Sequence, residues 1–403
     1  MTLPLEGIRI ADFTWVWAGP FCTLQLAHLG AEVIRIESAK RTCVTRLLPP
    51  FAENQPGVNR SGYFNQYNQG KLSLALDLKH PDAVAVAKDL IAQCDIVCEN
   101  FAAGVMDRMG LGYEAIRRIK PDIIMIALSG YGHTGPESEF VSYGPAQVPL
   151  SGMSSLTGYA GWPPMHVGIS YGDPTGGLHG AVAVLAALLH RSATGEGQFI
   201  DLSQQETSIA VLGEGVLEQT IAGRQPERSG NRDVHMAPHG VFRCAGEQRW
   251  VAVAVRSDAE WQRCAEAIGR PELANDGRFA SLAARKANEE ALEAVLSEWT
   301  LTRTPEDAAE HLQRAGIPAS VSMHSQDLAE DRHLGASGFF VHLPHREVGT
   351  RLHLGMPWRM TDTPCAVRRP APCLGEHTDD VLQRVVGYHA ERIADLRQRG
   401  VLV

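Results

Sequence analysis

Ile8-Arg-Ile-Ala-Asp-Phe13, a turn at Ala18-Gly-Pro20 and the run Glu32-Val-Ile-Arg-Ile-Glu37 decide the fold. Two short apolar runs flank one helical stretch, near residues 20–29, which is the pattern of a βαβ unit with parallel strands. The alternation continues outward. Strands are expected at Leu72–Leu78, Asp95–Glu99, Ile123–Leu128 and Phe199–Leu202, with helices near 81–93, 112–119 and 174–191. Ile123-Ile-Met-Ile-Ala-Leu128 is apolar at every position, as a strand covered by helices on both faces must be. Residues 1–203 therefore read as a large, doubly wound, Rossmann-like α/β domain.

Beyond it, an amphipathic segment from Gln204 to Ala222 ends at Gly223, and the polar stretch Arg224 to Asp233 follows, so 204–233 reads as a helical linker. The β runs His239–Cys244 and Trp250–Val255 suit a hairpin, and helical patterns follow at Asp258–Ile268, Ala287–Glu298 and Thr304–Ala315. Residues 234–325 are expected to form a smaller α+β domain. The remainder, 326–403, reads as a return segment of irregular β runs, a Pro-rich stretch and a helix near Glu376–Val386 that packs on the large domain.

Composition narrows the function. With 403 residues, 44% hydrophobic and 21% charged, the chain has ordinary globular usage, and its net charge of -9 gives no footprint for a phosphate backbone. The longest near-apolar run, Ala181–Leu189, is about half of the ~18 residues that span a bilayer. Glu6 and Arg9 would interrupt the core of any signal peptide, and the eight cysteines form no C-x-x-C pair. A cytoplasmic protein with reduced thiols is expected, with no nucleic-acid or membrane partner.

Several motifs invite chemistry. Gly130-Tyr-Gly-His-Thr-Gly135 is a literal G-x-G-x-x-G after a strand, but Pro136 and Gly144-Pro145 leave room for only a short helix, and no acidic strand end follows. A nicotinamide dehydrogenase is therefore disfavoured. His342 and His345 would point to opposite faces of a strand, and Pro238 spoils the His235/His239 pair, so no metal site is expected. There is no H-E-x-x-H, Walker loop or G-x-S-x-G elbow. Glu37, ending the second strand, leaves a nucleotide-containing ligand open. Asp173, in Gly168-Ile-Ser-Tyr-Gly-Asp-Pro-Thr-Gly-Gly177, reads locally as an N-cap with Pro174 at the first helical position. The glycines around it would also admit a ligand, and a helix N-terminus would keep the carboxylate ionised.

Leu5-Glu-Gly-Ile-Arg-Ile-Ala-Asp-Phe13 with Ala18-Gly-Pro20, Leu29 to Glu37, Glu99-Asn-Phe101 with Asp107-Arg-Met-Gly110, Gly172-Asp173, Ala193 to Gln198 and Leu374 to Leu382 recur as ordered blocks along nearly the whole chain. In these blocks the sequence resembles the class III (formyl-CoA transferase-like) CoA-transferases, a group that includes carnitine CoA-transferase and the α-methylacyl-CoA racemases. The resemblance implies that Asp173 is the nucleophile, and that Val16, Trp17, Ala18, Asn68, Lys71, Asn100, Phe101, Arg108 and Tyr143 contact CoA. It implies acyl-CoA and a small carboxylic acid as substrates with no tightly bound cofactor. Lys71 and Arg108 would meet the phosphates. It further implies an interlocked homodimer.

The chain departs from the formyl-CoA transferase pattern at Trp17, where that group has Gln, at Gly144, where it has an acid, and at Ser229 to His235, where it has a glycine run. An aromatic wall of Trp15 and Trp17 argues for a bulky, partly apolar acid such as a substituted succinate, with succinyl-CoA as donor. A racemase would need a His near Tyr143 as its acid/base partner. A CoA-binding subunit of a hetero-oligomer is the remaining alternative.

Overall fold

A computed structural model describes residues 3–403. Six strands form one parallel sheet: β1 (Arg9–Asp12), β2 (Glu32–Glu37), β3 (Leu72–Ala75), β4 (Ile96–Glu99), β5 (Ile124–Ser129) and β6 (Phe199–Ser203), in the order β3-β2-β1-β4-β5-β6. In register, Ile10 of β1 faces Val33 on one side and Ile96 on the other. The chain builds outward from β1 through β3, then returns to β4 on the opposite flank. Loops leaving β1 and β4 therefore diverge and open a crevice at their carboxyl ends, where sheets of this kind take ligands.

Helices cover both faces, which is why β5 is buried at all six positions. On one face, Cys22 and Leu26 of the Ala18–His28 helix and Ala181 and Val184 of the Gly172–Thr194 helix pack on Ile10, Ile96 and Ile126. The two helices touch through glycine. A Cβ on Gly177 would lie 2.7 Å from the Ala18 carbonyl oxygen, and one on Gly180 would lie 2.8 Å from Leu128 Cδ2. The opposite face buries Ala83, Val86, Ala87 and Leu90, the i, i+3, i+4, i+7 stripe of the Ala83–Ile91 helix. Val381, Leu382, Ile393 and Leu396 near the C-terminus complete that core. The last two belong to a helix, Ala390–Gln398, that the sequence reading missed. The expected amphipathic segment after β6 is broken into two helices, Gln204–Ala210 and Gly213–Ala222.

The chain divides into two compact units. One comprises 3–154, His166–Gln225 and Ala336–Val403, and the other Ser155–Met165 and Pro226–Gly335. Inside the second, β7 (His239–Arg243), β8 (Trp250–Ala254) and β9 (Ala319–Val321) form an antiparallel sheet, with the expected hairpin as its first pair. Its core gathers Trp261, Phe279, Leu292, Leu296 and Leu312, and the Trp261 indole N–H donates to the Leu273 carbonyl at 3.3 Å. The Ser229–His235 stretch is tied down within this unit: Gly230 N–H donates to Gly158 O, and Arg232 pairs with Glu293 at 2.8 Å. All eight cysteines are unpaired, seven of them buried. Among the described residues no helix is long and apolar enough to cross a membrane.

Candidate functional site

The crevice predicted by the strand order is a cavity of about 710 Å³ at the carboxyl ends of β1–β4. Phe13, Trp15, Phe101 and Met109 supply apolar walls, and Lys40, Arg41 and Lys79 supply positive charge. Arg41 lies over the Trp15 ring at 5.3 Å, and Lys40 reaches Asp77 at 2.9 Å. A flat aromatic slot beside cations can hold a purine ring and its phosphates together.

The turn from Trp15 to Ala18 joins this cavity to the start of the next helix. Both backbone groups of Trp15 are gripped by one side chain: its N–H donates to Asn100 Oδ1 at 2.6 Å, and Asn100 Nδ2 donates to its carbonyl at 2.7 Å. Val16 then adopts φ +64°, a left-handed conformation that a β-branched residue takes only under constraint. Its N–H points to Cys43 Sγ at 3.2 Å. The reversal sends the flanking indoles in two directions. Trp15 lines the nucleotide-sized cavity, whereas Trp17 packs on Tyr67 at 5.2 Å and Tyr63 at 6.0 Å. The single wall expected from Trp15 and Trp17 is thus two separate surfaces.

Asp173 lies at the second surface, 7% exposed. The expected cap is not what the structure shows. The Gly172–Thr194 helix already includes Asp173 in its first turn, and its end has no side-chain cap bond. Instead the carboxylate receives the Ala18 N–H at the start of the facing helix. Burial raises the Asp173 carboxyl to about 7, and the one backbone hydrogen bond only partly offsets it. Desolvation therefore outweighs the helix-terminus field that was expected to keep it ionised. The phenols of Tyr63 and Tyr67 are pushed up in turn, first by burial and then by the Asp173 charge. Gly144 closes the other side: a Cβ there would fall 1.7 Å from Asp173 Oδ2. The indole Nε1 of Trp17 is buried without a hydrogen-bond partner, a state that costs about 1–3 kcal/mol unless a ligand answers it.

Below the turn lies a buried charge network. Lys71 is fully buried, 3.1 Å from Asp12, and it also donates to the Pro20 carbonyl at 3.1 Å and Asn68 Oδ1 at 3.0 Å. Burial draws its ammonium down to about 8 against the pull of Asp12. Arg35 adds a donor to Asn68 at 3.2 Å, and Arg46 pairs with Glu37 at 2.9 Å while lying 3.5 Å over the Phe64 ring. Both polar groups expected to meet CoA here, Asn68 and Lys71, are spent inside the protein in this structure.

Of the other expected residues, Ala18 meets Asp173 through its N–H, Trp17 packs on the two tyrosines, Val16 makes the reversed turn that precedes them, and Phe101 lines the cavity. Asn100 acts on the Trp15 backbone. Arg108 is exposed on the short helix whose first residue, Val105, lines the cavity. Tyr143 is 68% exposed and precedes Gly144. Sequence reasoning missed Lys40, Arg41, Lys79, Tyr63 and Tyr67, although Lys40 and Arg41 follow the second strand end directly. It also passed over Glu99, whose buried carboxyl is raised to about 8 and accepts the Phe101 N–H at 2.7 Å.

The family model described as CoA-transferase family III matches residues 5–378. A formyl-CoA:oxalate CoA-transferase of Rhodopseudomonas palustris is 33% identical over 422 aligned positions, covering 100% of this chain and 98% of its own. A succinate–glutarate CoA-transferase of Agrobacterium fabrum is 33% identical, covering 94% of this chain and 95% of its own. The crystal structure of a CAIB/BAIF family protein from Brucella suis superposes with a TM-score of 0.87 at 30% identity, over 96% of this chain and 100% of that one.

Proposed function

Because the chain belongs to CoA-transferase family III, we propose that it moves CoA from an acyl-CoA donor to a carboxylic acid with Asp173 as the covalent nucleophile. One observation carries the assignment: a buried carboxylate accepts the N–H of Ala18, the last residue of a four-residue turn whose first, Trp15, lines a cavity of about 710 Å³ with aromatic walls and three cations. The nucleotide of CoA fits the cavity, with its phosphates toward Lys40, Arg41 and Lys79. CoA and its thioesters enter as substrates, and no other cofactor is required.

The chemistry follows from the environment of the carboxylate. Asp173 attacks the donor thioester carbonyl, and the C–S bond breaks to give a mixed anhydride and CoA thiolate. The thiolate attacks the aspartyl carbonyl, releasing the donor acid and leaving an aspartyl-CoA thioester. The acceptor carboxylate attacks this thioester to give a second anhydride, and the thiolate then takes the new acyl group and restores Asp173. A buried carboxylate loses its desolvation penalty each time it becomes a neutral anhydride or thioester, so burial favours the covalent states over the resting ion. Binding energy from the nucleotide holds the reacting carbonyl in place.

The aromatic enclosure at Trp17 favours a bulky acid such as a substituted succinate, with succinyl-CoA as donor. Exposed apolar residues, Leu178, Val182 and Leu189 on the nucleophile helix and Val216, Leu217 and Ile221 on a later one, support assembly as a homodimer. The test is mass spectrometry of the protein incubated with acyl-CoA thioesters and quenched with hydroxylamine. A hydroxamate on the Asp173 peptide, absent in Asp173→Ala, is the expected result. No adduct with any thioester, while CoA still binds, refutes the covalent route.

A further inference from the structure

Asp173 accepts the Ala18 N–H, and its charge reaches the Tyr63 and Tyr67 phenols, both of which pack against the Trp17 ring. Phe21 extends the same surface, 5.8 Å from Tyr67 and edge-on to it, and Tyr63 meets Tyr67 at 5.5 Å. Four aromatic rings therefore form one continuous wall, offering wide apolar faces and three polar tips, two hydroxyls and an indole N–H. Of these tips the Trp17 Nε1 stands apart, because it is buried with no hydrogen-bond partner among the described residues. A buried donor of fixed direction beside a nucleophile selects for a substrate that brings an acceptor to it, and the site then penalises any substrate that does not.

We propose that Trp17 determines acid specificity: its indole N–H takes an oxygen of the bound acid, and the wall it forms with Tyr63, Tyr67 and Phe21 selects an acid bearing an aryl or branched apolar group. The proposal rests on Asp173 being the nucleophile. The donor comes from the residue immediately before Ala18, whose N–H already holds the Asp173 carboxylate, so one hydrogen bond ties the segment that carries the indole to the reacting carboxylate. An aryl group has the large faces to cover Tyr63 and Tyr67, which an acid as small as oxalate lacks.

The test uses succinyl-CoA as donor and follows new acyl-CoA by chromatography with oxalate, methylsuccinate and phenylsuccinate as acceptors. Wild-type protein is expected to prefer phenylsuccinate and methylsuccinate to oxalate. Trp17→Phe keeps an aromatic ring and removes the indole N–H together with its five-membered ring. It should lower kcat/KM for the substituted acids about tenfold, the worth of one hydrogen bond, with the dissociation constant of free CoA unchanged. Trp17→His, which returns an N–H, should recover part of the loss. Equal turnover by wild type and Trp17→Phe overturns the proposal, as does a wild-type preference for oxalate. Hydroxylamine trapping on Asp173 separates the two levels. A trapped hydroxamate without turnover of any aryl or branched acid overturns the specificity assignment alone, and the absence of any hydroxamate overturns the nucleophile as well.

Discussion

Asp173→Asn should make the protein more stable while it destroys transfer. The substitution keeps the shape and an acceptor oxygen for the Ala18 N–H, and removes the charge. In the folded protein the carboxyl titrates at about 7, against 3.8 without the fold, because burial opposes the ion. Roughly 3 units at 1.36 kcal/mol each amount to about 4 kcal/mol. The sign follows from proton uptake: between those two values the folded state holds the proton that the unfolded state has lost, so wild-type stability falls as pH rises. Below pH ~4 both states are protonated and the variant and wild type should match in this respect. Above pH ~7 the full penalty applies to the wild type alone. Urea unfolding measured at intervals from pH 4 to 8 should therefore show two curves that diverge by as much as about 4 kcal/mol. Curves that stay parallel, or a variant that is the weaker protein at pH 8, would mean that the carboxylate is compensated like an ordinary cap, and the argument from burial would fail.

Gly144→Ala puts a Cβ 1.7 Å from Asp173 Oδ2 and 2.7 Å from Ser170 Cβ, so the carboxylate must move; kcat should fall about 100-fold with the affinity for free CoA intact, as steady-state kinetics and calorimetry will show. Lys71→Met strands Asp12 without its cation and should cost about 3–5 kcal/mol of stability in urea unfolding. Arg41→Ala should leave stability in place, weaken CoA binding in calorimetry and flatten its salt dependence, because that guanidinium lies in the cavity over Trp15. Reversal of the last two effects would place the phosphates at Lys71 after all.

The parallel sheet was legible because its apolar runs recur with helical stretches between them and β5, buried on both sides, carries no polar alternation, and the hairpin of β7 and β8 because its two runs are separated by a short polar loop. Asp173 stood out through the glycines around it together with the ordered blocks along the chain. What escaped was anything decided across the fold. Lys71 looks like a phosphate ligand in sequence, yet the topology sets it 3.1 Å from Asp12, a residue 59 positions earlier. Tyr63 and Tyr67 sit one helical turn apart in an unremarked six-residue helix, and only its packing on Trp17 gives them a role. The Ala390–Gln398 helix is mostly polar and buries just Ile393 and Leu396, too faint a stripe to register. The divergence of Trp15 and Trp17 depends on one dihedral angle at Val16, which no composition or spacing encodes.

That angle keeps two aromatic surfaces apart within three residues of chain. In a regular extended strand, Trp15 and Trp17 would share a face, and a change to one ring would disturb the surface formed by the other. With Val16 reversed, the wall formed by Trp17 is free to be rebuilt ring by ring while the cavity lined by Trp15 stays as it was. On the proposed reading of the site, such a hinge point lets the acid wall change without the nucleotide cavity, and it marks residue 17 as the position where a protein engineer should begin.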